Sequence, residues 1–319
     1  MNLSHAYGVP IAREHAERVL LAALELGVDH FDTAALYGFG ANETLLGRVL
    51  APHRSRILLA SKGGLAGVDG KRVIDGRPQV IRRNCEDSLR RLNTEVIDLY
   101  YLHRWDRRVP IEESVGVLAD LVREGKIRAI GLSEVSAATL RKAHAVHPIA
   151  ALQNEYSLWT RNPEIAVLQA CGELGVTLVA FSPLARGFLT GQLTEVSGLP
   201  PGDLRHTMPR FSTQHYARNL QLLEPYRHIA RQHECTPAQL ALAWLLSRAE
   251  HIVVIPGTTQ VSHLRENMAA RALRLPSETL AQLDELINQR TVSGARYGAA
   301  GQADVDSEEF SEGAAAPRS

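Results

Sequence analysis

Short apolar segments alternate along the chain with amphipathic helical patterns, and this alternation constrains the possible fold most strongly. Strand segments that are almost continuously apolar are typical of a parallel sheet that helices cover. The 319 residues suit a β/α barrel, which typically needs about 250 residues. We therefore expect an α/β fold, the (β/α)8 barrel. The predicted strands are a segment that begins at Asp29, then Arg56–Lys62, Ile97–His103, Ile127–Ser133, Ala151–Tyr156, Thr177–Ser182 and Ile252–Ile255.

Apolar residues repeat with helical spacing between these strands. The main alternative is a doubly wound open sheet, which would carry a Gly-x-Gly-x-x-Gly turn after its first strand if it bound a dinucleotide. Gly38 and Gly40 are followed instead by Glu43, so we favour the barrel. The predicted helices are 12–26, 42–50, 78–92, 110–124, 136–146, 163–174, one from near 217, 237–247, 261–270 and 277–289. A glycine-rich loop is expected after Lys62, and a long irregular loop is expected from about Leu184 to His215.

Both ends of the sequence differ from a regular barrel. Met1–Ser4 matches only the end of a strand, so the first strand is expected to be truncated and the natural chain to start upstream. We assign residues 1–296 to the barrel domain. Residues 297–319 are rich in Gly, Ala, Ser and acidic residues, and this composition predicts a disordered tail.

Composition excludes several classes of function. Lys plus Arg and Asp plus Glu both number 35, so no charge excess favours a nucleic acid or an anionic membrane as partner. Three distant cysteines without a Cys-x-x-Cys pair indicate reduced thiols and no metal site. No signal peptide and no apolar run of roughly 18 residues is visible. We expect a cytoplasmic protein with no membrane partner.

Polar residues follow the predicted strands, at the barrel end where active sites lie. Asp is rarely buried without a cationic partner, and Lys62 is the expected partner of Asp32. Tyr37 lies in the loop after Asp32, and a lysine ammonium about 4 Å away would lower the tyrosine pKa from ~10 toward that of a useful acid. His103 would orient the substrate oxygen. The pattern predicts proton donation to a carbonyl oxygen, although an Asp–Lys pair alone is equally consistent with a structural ion pair.

Several motifs together resemble the aldo-keto reductase family, in particular its bacterial and plant NADP-dependent branch. The resemblance extends to about Arg290. It rests on the segments Gly27–Ala34, Tyr37-Gly38, Asn42-Glu43, Leu46-Gly47, Ser61-Lys62, Asp98–Tyr100, Leu102-His103, Gly131–Ser133, Gln153, Phe181–Leu184, Gly187, Ile255–Thr258 and Glu266-Asn267.

The resemblance implies a barrel that reduces aldehydes or ketones by hydride transfer from NADP(H), with NAD(H) as a possible second cofactor. The expected catalytic residues are Tyr37, Lys62, Asp32 and His103, and the expected partner is a small carbonyl substrate. The expected cofactor contacts run from the carboxamide to the adenosine end, at Ser133, Gln153, Phe181, Ser182, Leu184, Gly187, Gly257, Thr258, Glu266 and Asn267.

Some assignments stay open. Residues 257–263 carry no Lys or Arg for a 2′-phosphate, and Arg265 is the nearest candidate. Trp105 and Trp159 are equally consistent with the substrate pocket and the core, and the arginines of Arg104–Arg108 are expected to be solvated. Family relatives that act as redox-sensing regulatory subunits supply an alternative function, and a metal-dependent hydrolase is a distant third. The sequence allows a monomer or a homo-oligomer.

Overall fold

The protein is described here by a computed structural model that covers residues 1–4 and 6–310. Seven parallel strands form one curved sheet, and two further strands form a hairpin. The sheet strands are β1 (His30–Asp32), β2 (Leu58–Gly63), β5 (Ile97–Leu102), β6 (Ile127–Ser133), β7 (Ile149–Glu155), β8 (Thr177–Phe181) and β9 (Ile252–Val254), and the hairpin strands are β3 (Leu65–Val68) and β4 (Lys71–Ile74).

The sheet follows the order β1-β2-β5-β6-β7-β8-β9, so each strand pairs with the next sheet strand along the chain. This is the sequential order of a β/α barrel, with β1 and β9 as the two outer strands of the described part. The expected barrel architecture is confirmed. Met1–Ser4 forms a turn, closed by a hydrogen bond from the Ser4 amide to the Met1 carbonyl, and does not continue the sheet. The prediction that these residues end a strand is wrong.

Helices cover the outer face of the sheet. Helix α3 (Pro78–Leu92) begins with Pro78 at its first position, and Asn93 follows its last residue with a φ of 51°, in the left-handed region that ends helices. Helix α9 has a reciprocal capping box between Thr236 and Gln239. The helices are α1 (Arg13–Glu25), α2 (Ala41–Leu50), α3 (Pro78–Leu92), α4 (Ile111–Arg123), α5 (Ala137–Val146), α6 (Val167–Leu174), α7 (Thr213–Leu220), α8 (Leu223–Gln232), α9 (Pro237–Leu246), α10 (Val261–Ala269), α11 (Ser277–Leu286) and α12 (Ala299–Ala303).

Two apolar layers hold the barrel together. The larger lies between helices and sheet and includes Tyr100 and Leu102. The smaller lies inside the barrel and contains Leu99, Tyr101 and their inward-facing neighbours. Alternate residues of β5 therefore contribute to opposite faces, as strand geometry requires. A Cβ on Gly131 of β6 would come within 2.3 Å of the Tyr101 ring, so the interior leaves no room for a side chain there.

Four local predictions need correction. The glycine-rich loop after β2 is the β3–β4 hairpin, and the helix predicted at 163–174 begins only at Val167. Helix α7 begins at Thr213 and α8 is a separate helix, where the sequence indicated one helix starting near residue 217. Short 3₁₀ turns, including Ala185–Thr190, interrupt the loop predicted to be irregular.

The segment 297–310 is folded onto the barrel, which corrects the disorder predicted for it. Asp306 accepts hydrogen bonds from the Ser136 amide, 3.1 Å, and from the hydroxyls of Ser136 and Thr139. Glu308 accepts from the Ala137 amide at 2.7 Å. These carboxylates bind the amino end of α5, where helix donors are unsatisfied. Residues 311–319 of the predicted tail lie outside the described residues.

In the described part of the chain, no helix combines the length and apolar character needed to span a membrane. Within the same residues, no three His, Cys, Asp or Glu side chains lie close enough together to hold a metal ion.

Candidate active site

The ends of β1, β2 and β5 bring the predicted catalytic residues together. Lys62 is fully buried, and its ammonium binds the Asp32 carboxylate in an ion pair and hydrogen bond. The same ammonium donates to the Thr33 carbonyl at 2.9 Å and to the Tyr37 hydroxyl at 3.4 Å. The Tyr37 and His103 rings meet edge to face with centroids 5.8 Å apart. One buried ammonium thus links the carboxylate and the phenol.

Burial and neighbouring charges shift the pKa values of Lys62 and Tyr37 in opposite directions. Burial alone would lower the pKa of the Lys62 ammonium, but the Asp32 carboxylate and Tyr37 raise it above its ordinary value, so Lys62 stays charged. Burial raises the pKa of Tyr37, and Lys62 only partly offsets this. The lowering of the Tyr37 pKa that the sequence predicts from Lys62 is outweighed by burial. Tyr37 is therefore a protonated acid beside a positive charge.

His103 is neutral in this setting. Burial, followed by the positive charges of Arg104, Lys62 and Arg72, places its pKa well below the ordinary value. Its Nδ1 is buried without a hydrogen-bond partner among the described residues. A neutral imidazole donates one ring N–H, so it suits binding an oxygen rather than supplying a second mobile proton.

The neighbouring strand ends hold the residues predicted to contact the nicotinamide. Gln153 of β7 donates from Nε2 to Asp32 at 2.8 Å, and Ser133 of β6 accepts from Arg104 at 3.1 Å. Asn154, which follows Gln153 on β7, faces away from these residues and accepts a hydrogen bond from the Glu134 amide at 2.9 Å. Gln153 therefore also orients the carboxylate that holds Lys62.

A cavity of about 1030 Å³ extends from these residues across the carboxyl ends of the strands toward α10. Asp32, Tyr37 and His103 line it, whereas Lys62 lies behind them. All ten predicted cofactor contacts also line it, namely Ser133, Gln153, Phe181, Ser182, Leu184, Gly187, Gly257, Thr258, Glu266 and Asn267. Three of the four predicted catalytic residues and all the predicted cofactor contacts therefore lie along one continuous groove.

The loop after β8 has an unusual backbone. Ser182, Ala185 and Arg186 have positive φ values of 51°, 49° and 55°, and Gly187 follows at 97°. Residues other than glycine rarely adopt this region, and such strain concentrates at binding sites. The Arg186 side chain is held by Glu155 at 2.8 Å. Ser182, Leu184 and Gly187 of this loop line the cavity.

The structure also places residues whose roles the sequence left open, and it corrects one of them. Trp159 is buried against Phe188 with ring centroids 4.2 Å apart, and Trp105 packs against the core, so both belong to the core. Arg104 is buried beside the site and not solvated as predicted. At the α10 end, Arg271 lines the cavity, whereas Arg265 does not.

Comparisons with known proteins agree with this geometry. The model of the Aldo/keto reductase family matches residues 1–288. A probable aldo-keto reductase 1 from Glycine max is 44% identical over 93% of this chain and 86% of its own length. An aldo-keto reductase from Strobilurus tenacellus is 41% identical over 95% and 90%.

Solved structures resemble the fold as well. A glycerol dehydrogenase from Gluconobacter oxydans superposes with a TM-score of 0.80 and 31% identity, covering 86% of this chain and 85% of its own. An aldo/keto reductase from Klebsiella pneumoniae, solved with NADP and acetate, has a TM-score of 0.68 and 29% identity, with coverage of 90% and 89%. The chain belongs to the aldo/keto reductase family.

Proposed function

We propose that this protein is an NADP(H)-dependent reductase of aldehydes and ketones, of the carbonyl reductase type, with Tyr37 as general acid. The observation that carries this proposal is the position of the Lys62 ammonium, bonded at once to Asp32, the Thr33 carbonyl and the Tyr37 hydroxyl behind the cavity wall. The NADP-bound relative from Klebsiella pneumoniae supports the choice of cofactor.

The groove suits a dinucleotide. Ser133 and Gln153 lie beside Asp32 and Tyr37, where a carboxamide would need hydrogen bonds, and Phe181 lies at the end of β8. Ser182, Leu184, Arg186 and Gly187 of the strained loop line the same groove, and the Arg186 guanidinium carries a charge that suits a phosphate. Gly257, Thr258, Glu266 and Asn267 complete the far end. NADP(H), when bound, supplies a hydride to the carbonyl carbon or accepts one in the reverse direction.

The residues of this chain supply the proton and hold the substrate. His103, kept neutral, donates a ring N–H to the carbonyl oxygen and orients it. Tyr37 donates its hydroxyl proton to the same oxygen, and the resulting phenolate is stabilised by Lys62. Asp32 and Thr33 fix the lysine, and Gln153 fixes Asp32. Tyr37 then recovers its proton from solvent.

Replacing Tyr37 with Phe tests the role of the acid. The change removes the hydroxyl while keeping the ring that meets His103, so cofactor binding should stay nearly unchanged. Turnover of 4-nitrobenzaldehyde with NADPH should fall by about 10²- to 10⁴-fold, the usual contribution of a general acid. Cofactor affinity, followed by titration of protein fluorescence, is the control. A Tyr37→Phe protein that keeps more than about a tenth of the wild-type rate, with chemistry rate-limiting, contradicts the assignment.

A further inference from the structure

The proposed site has a positively charged wall that the reduction of a simple carbonyl does not require. Arg104 directly follows His103, and Arg72 projects from β4 of the hairpin. Both line the cavity together with Tyr37 and His103. Both also help to lower the pKa of His103, which places their charges near the point where the carbonyl oxygen would bind.

Arg104 is only partly satisfied by the protein. Its Nη1 donates to the His103 carbonyl at 2.7 Å and to the Ser133 hydroxyl at 3.1 Å. Its Nε is buried and has no hydrogen-bond partner among the described residues. The residue as a whole is only 9% exposed. A buried guanidinium donor without an acceptor is costly, and a ligand oxygen would remove that cost.

The carboxylates near the groove do not neutralise both arginines. Arg72 pairs with Asp304 at 3.1 Å, and both of these side chains remain partly exposed. The carboxylates that line the cavity are Asp29, Asp32 and Glu266. Asp32 is bound by Lys62, Asp29 precedes β1, and Glu266 lies on α10 at the other end of the groove. Within the described residues, no carboxylate forms an ion pair with Arg104, and burial, followed by the charge of Arg104, lowers the pKa of Arg72.

We propose that Arg104, assisted by Arg72, binds a carboxylate on the substrate, so that the pocket prefers carbonyl compounds bearing a carboxylate over their neutral esters. This inference rests on the proposed reductase function and specifies its substrate class. A guanidinium binds a carboxylate through charge-assisted hydrogen bonds, which makes Arg104 the orienting group and Arg72 a supporting charge.

The test compares matched substrates with NADPH. The 2-, 3- and 4-carboxybenzaldehydes and their methyl esters share one reactive aldehyde, and the three positions sample the unknown distance between the carbonyl and the arginines. For at least one acid we expect kcat/KM to exceed that of its ester by about 10- to 100-fold, which corresponds to hydrogen bonds with a charged group. The preference should weaken as ionic strength rises.

Variants separate substrate binding from positioning. Arg104→Gln and Arg72→Met should remove the preference mainly through a higher KM for the acid, and Arg104→Lys should restore part of it. Arg123→Met, on the exposed face of α4, changes the net charge equally and should leave the preference intact. Calorimetric titration with benzoate and benzamide adds a readout independent of turnover, and benzoate should bind more tightly to the wild type than to Arg104→Gln.

The outcomes distinguish the two proposals. Equal kcat/KM for every acid and its ester overturns the carboxylate inference and leaves the reductase proposal standing. Equal losses on acids and esters in Arg104→Gln, with unchanged benzoate affinity, also overturn it, because Arg104 would then only position Ser133 and His103. Failure to reduce any aldehyde in the panel, 4-nitrobenzaldehyde included, overturns the reductase function and this inference with it.

Discussion

Replacing Lys62 with Met isolates the charge that the proposed mechanism places beside the acid. The Lys62 Nζ lies 3.4 Å from the Tyr37 oxygen. At an effective dielectric constant of ~20, the attraction between the ammonium and a full phenolate is about 5 kcal/mol. If half of that charge has developed in the transition state, the loss is ~2.5 kcal/mol, or roughly 70-fold in kcat. Single-turnover reduction of 4-nitrobenzaldehyde with NADPH measures this loss.

The same variant changes stability for a separate reason. Without the ammonium, the Asp32 carboxylate stays 10% exposed and keeps Gln153 as a donor, but loses its countercharge. Breaking a buried ion pair by removing one partner typically costs about 3–5 kcal/mol. The double variant Asp32→Asn/Lys62→Met removes both charges. We expect it to unfold at a higher temperature than Lys62→Met while remaining equally inactive, which separates folding from catalysis.

The pH dependence of kcat tests whether Lys62 acts on Tyr37. A general acid must be protonated, so the reduction rate falls as the pH rises through the pKa of Tyr37. Lys62 lowers that pKa, although burial raises it by more. The alkaline limb of the kcat profile should therefore move to higher pH in Lys62→Met. A variant with the wild-type rate and an unmoved limb would show that Lys62 does not act on Tyr37.

Two further predictions concern the cofactor and acid stability. Thr259→Lys adds a cation to a loop that has no Lys or Arg at 257–263. The Kd for NADPH should therefore fall several-fold more than the Kd for NADH, and the difference should be greatest at low salt. An equal decrease in both Kd values would show that this loop does not bind the 2′-phosphate. Burial alone would raise the pKa of Glu155, but Arg186, Arg296 and Arg210 lower it to about 2 from 4.5. Its contribution to stability is thus complete above about pH 4.5 and is lost as the pH falls toward 2. In Glu155→Gln, the free energy of unfolding measured by urea denaturation should therefore fall less steeply between these pH values than in the wild type. Parallel curves of unfolding free energy against pH for the two proteins would contradict this.

The catalytic constellation was predictable because barrel topology places successive strand ends side by side. Asp32, Lys62 and His103 each end a recognisable strand, and their convergence needs no information beyond that order. The sequential strand order also follows from the alternation of strands and helices. The roles of the site residues remain proposals that the variants above test.

Other features depend on packing that local patterns do not encode. The β3–β4 hairpin is an exception, because its two-residue turn Asp69-Gly70, with positive φ values of 50° and 73°, is a hairpin signal that the sequence does carry. Arg104 lies in an arginine-rich run that favours solvent exposure, yet its position directly after His103 was an available signal for burial at the site. The folding of residues 297–310 was unpredictable because it uses contacts between residues far apart in the sequence, such as the hydrogen bond from Ser136 to Asp306, 170 positions away.

Glu155 connects two walls of the proposed site, the loop after β8 and the C-terminal segment. Its Oε2 accepts from Arg186 at 2.8 Å, from Arg296 at 3.1 Å and from the Tyr297 hydroxyl at 3.3 Å. Arg186 belongs to the strained loop along the cofactor groove, whereas Tyr297 lines the cavity as part of the C-terminal segment. One buried carboxylate at the end of β7 therefore anchors both walls, because its charge would be costly to bury without the two guanidiniums. A change in either wall must alter the partners of Glu155, which gives the cofactor loop and the C-terminal segment a direct physical connection.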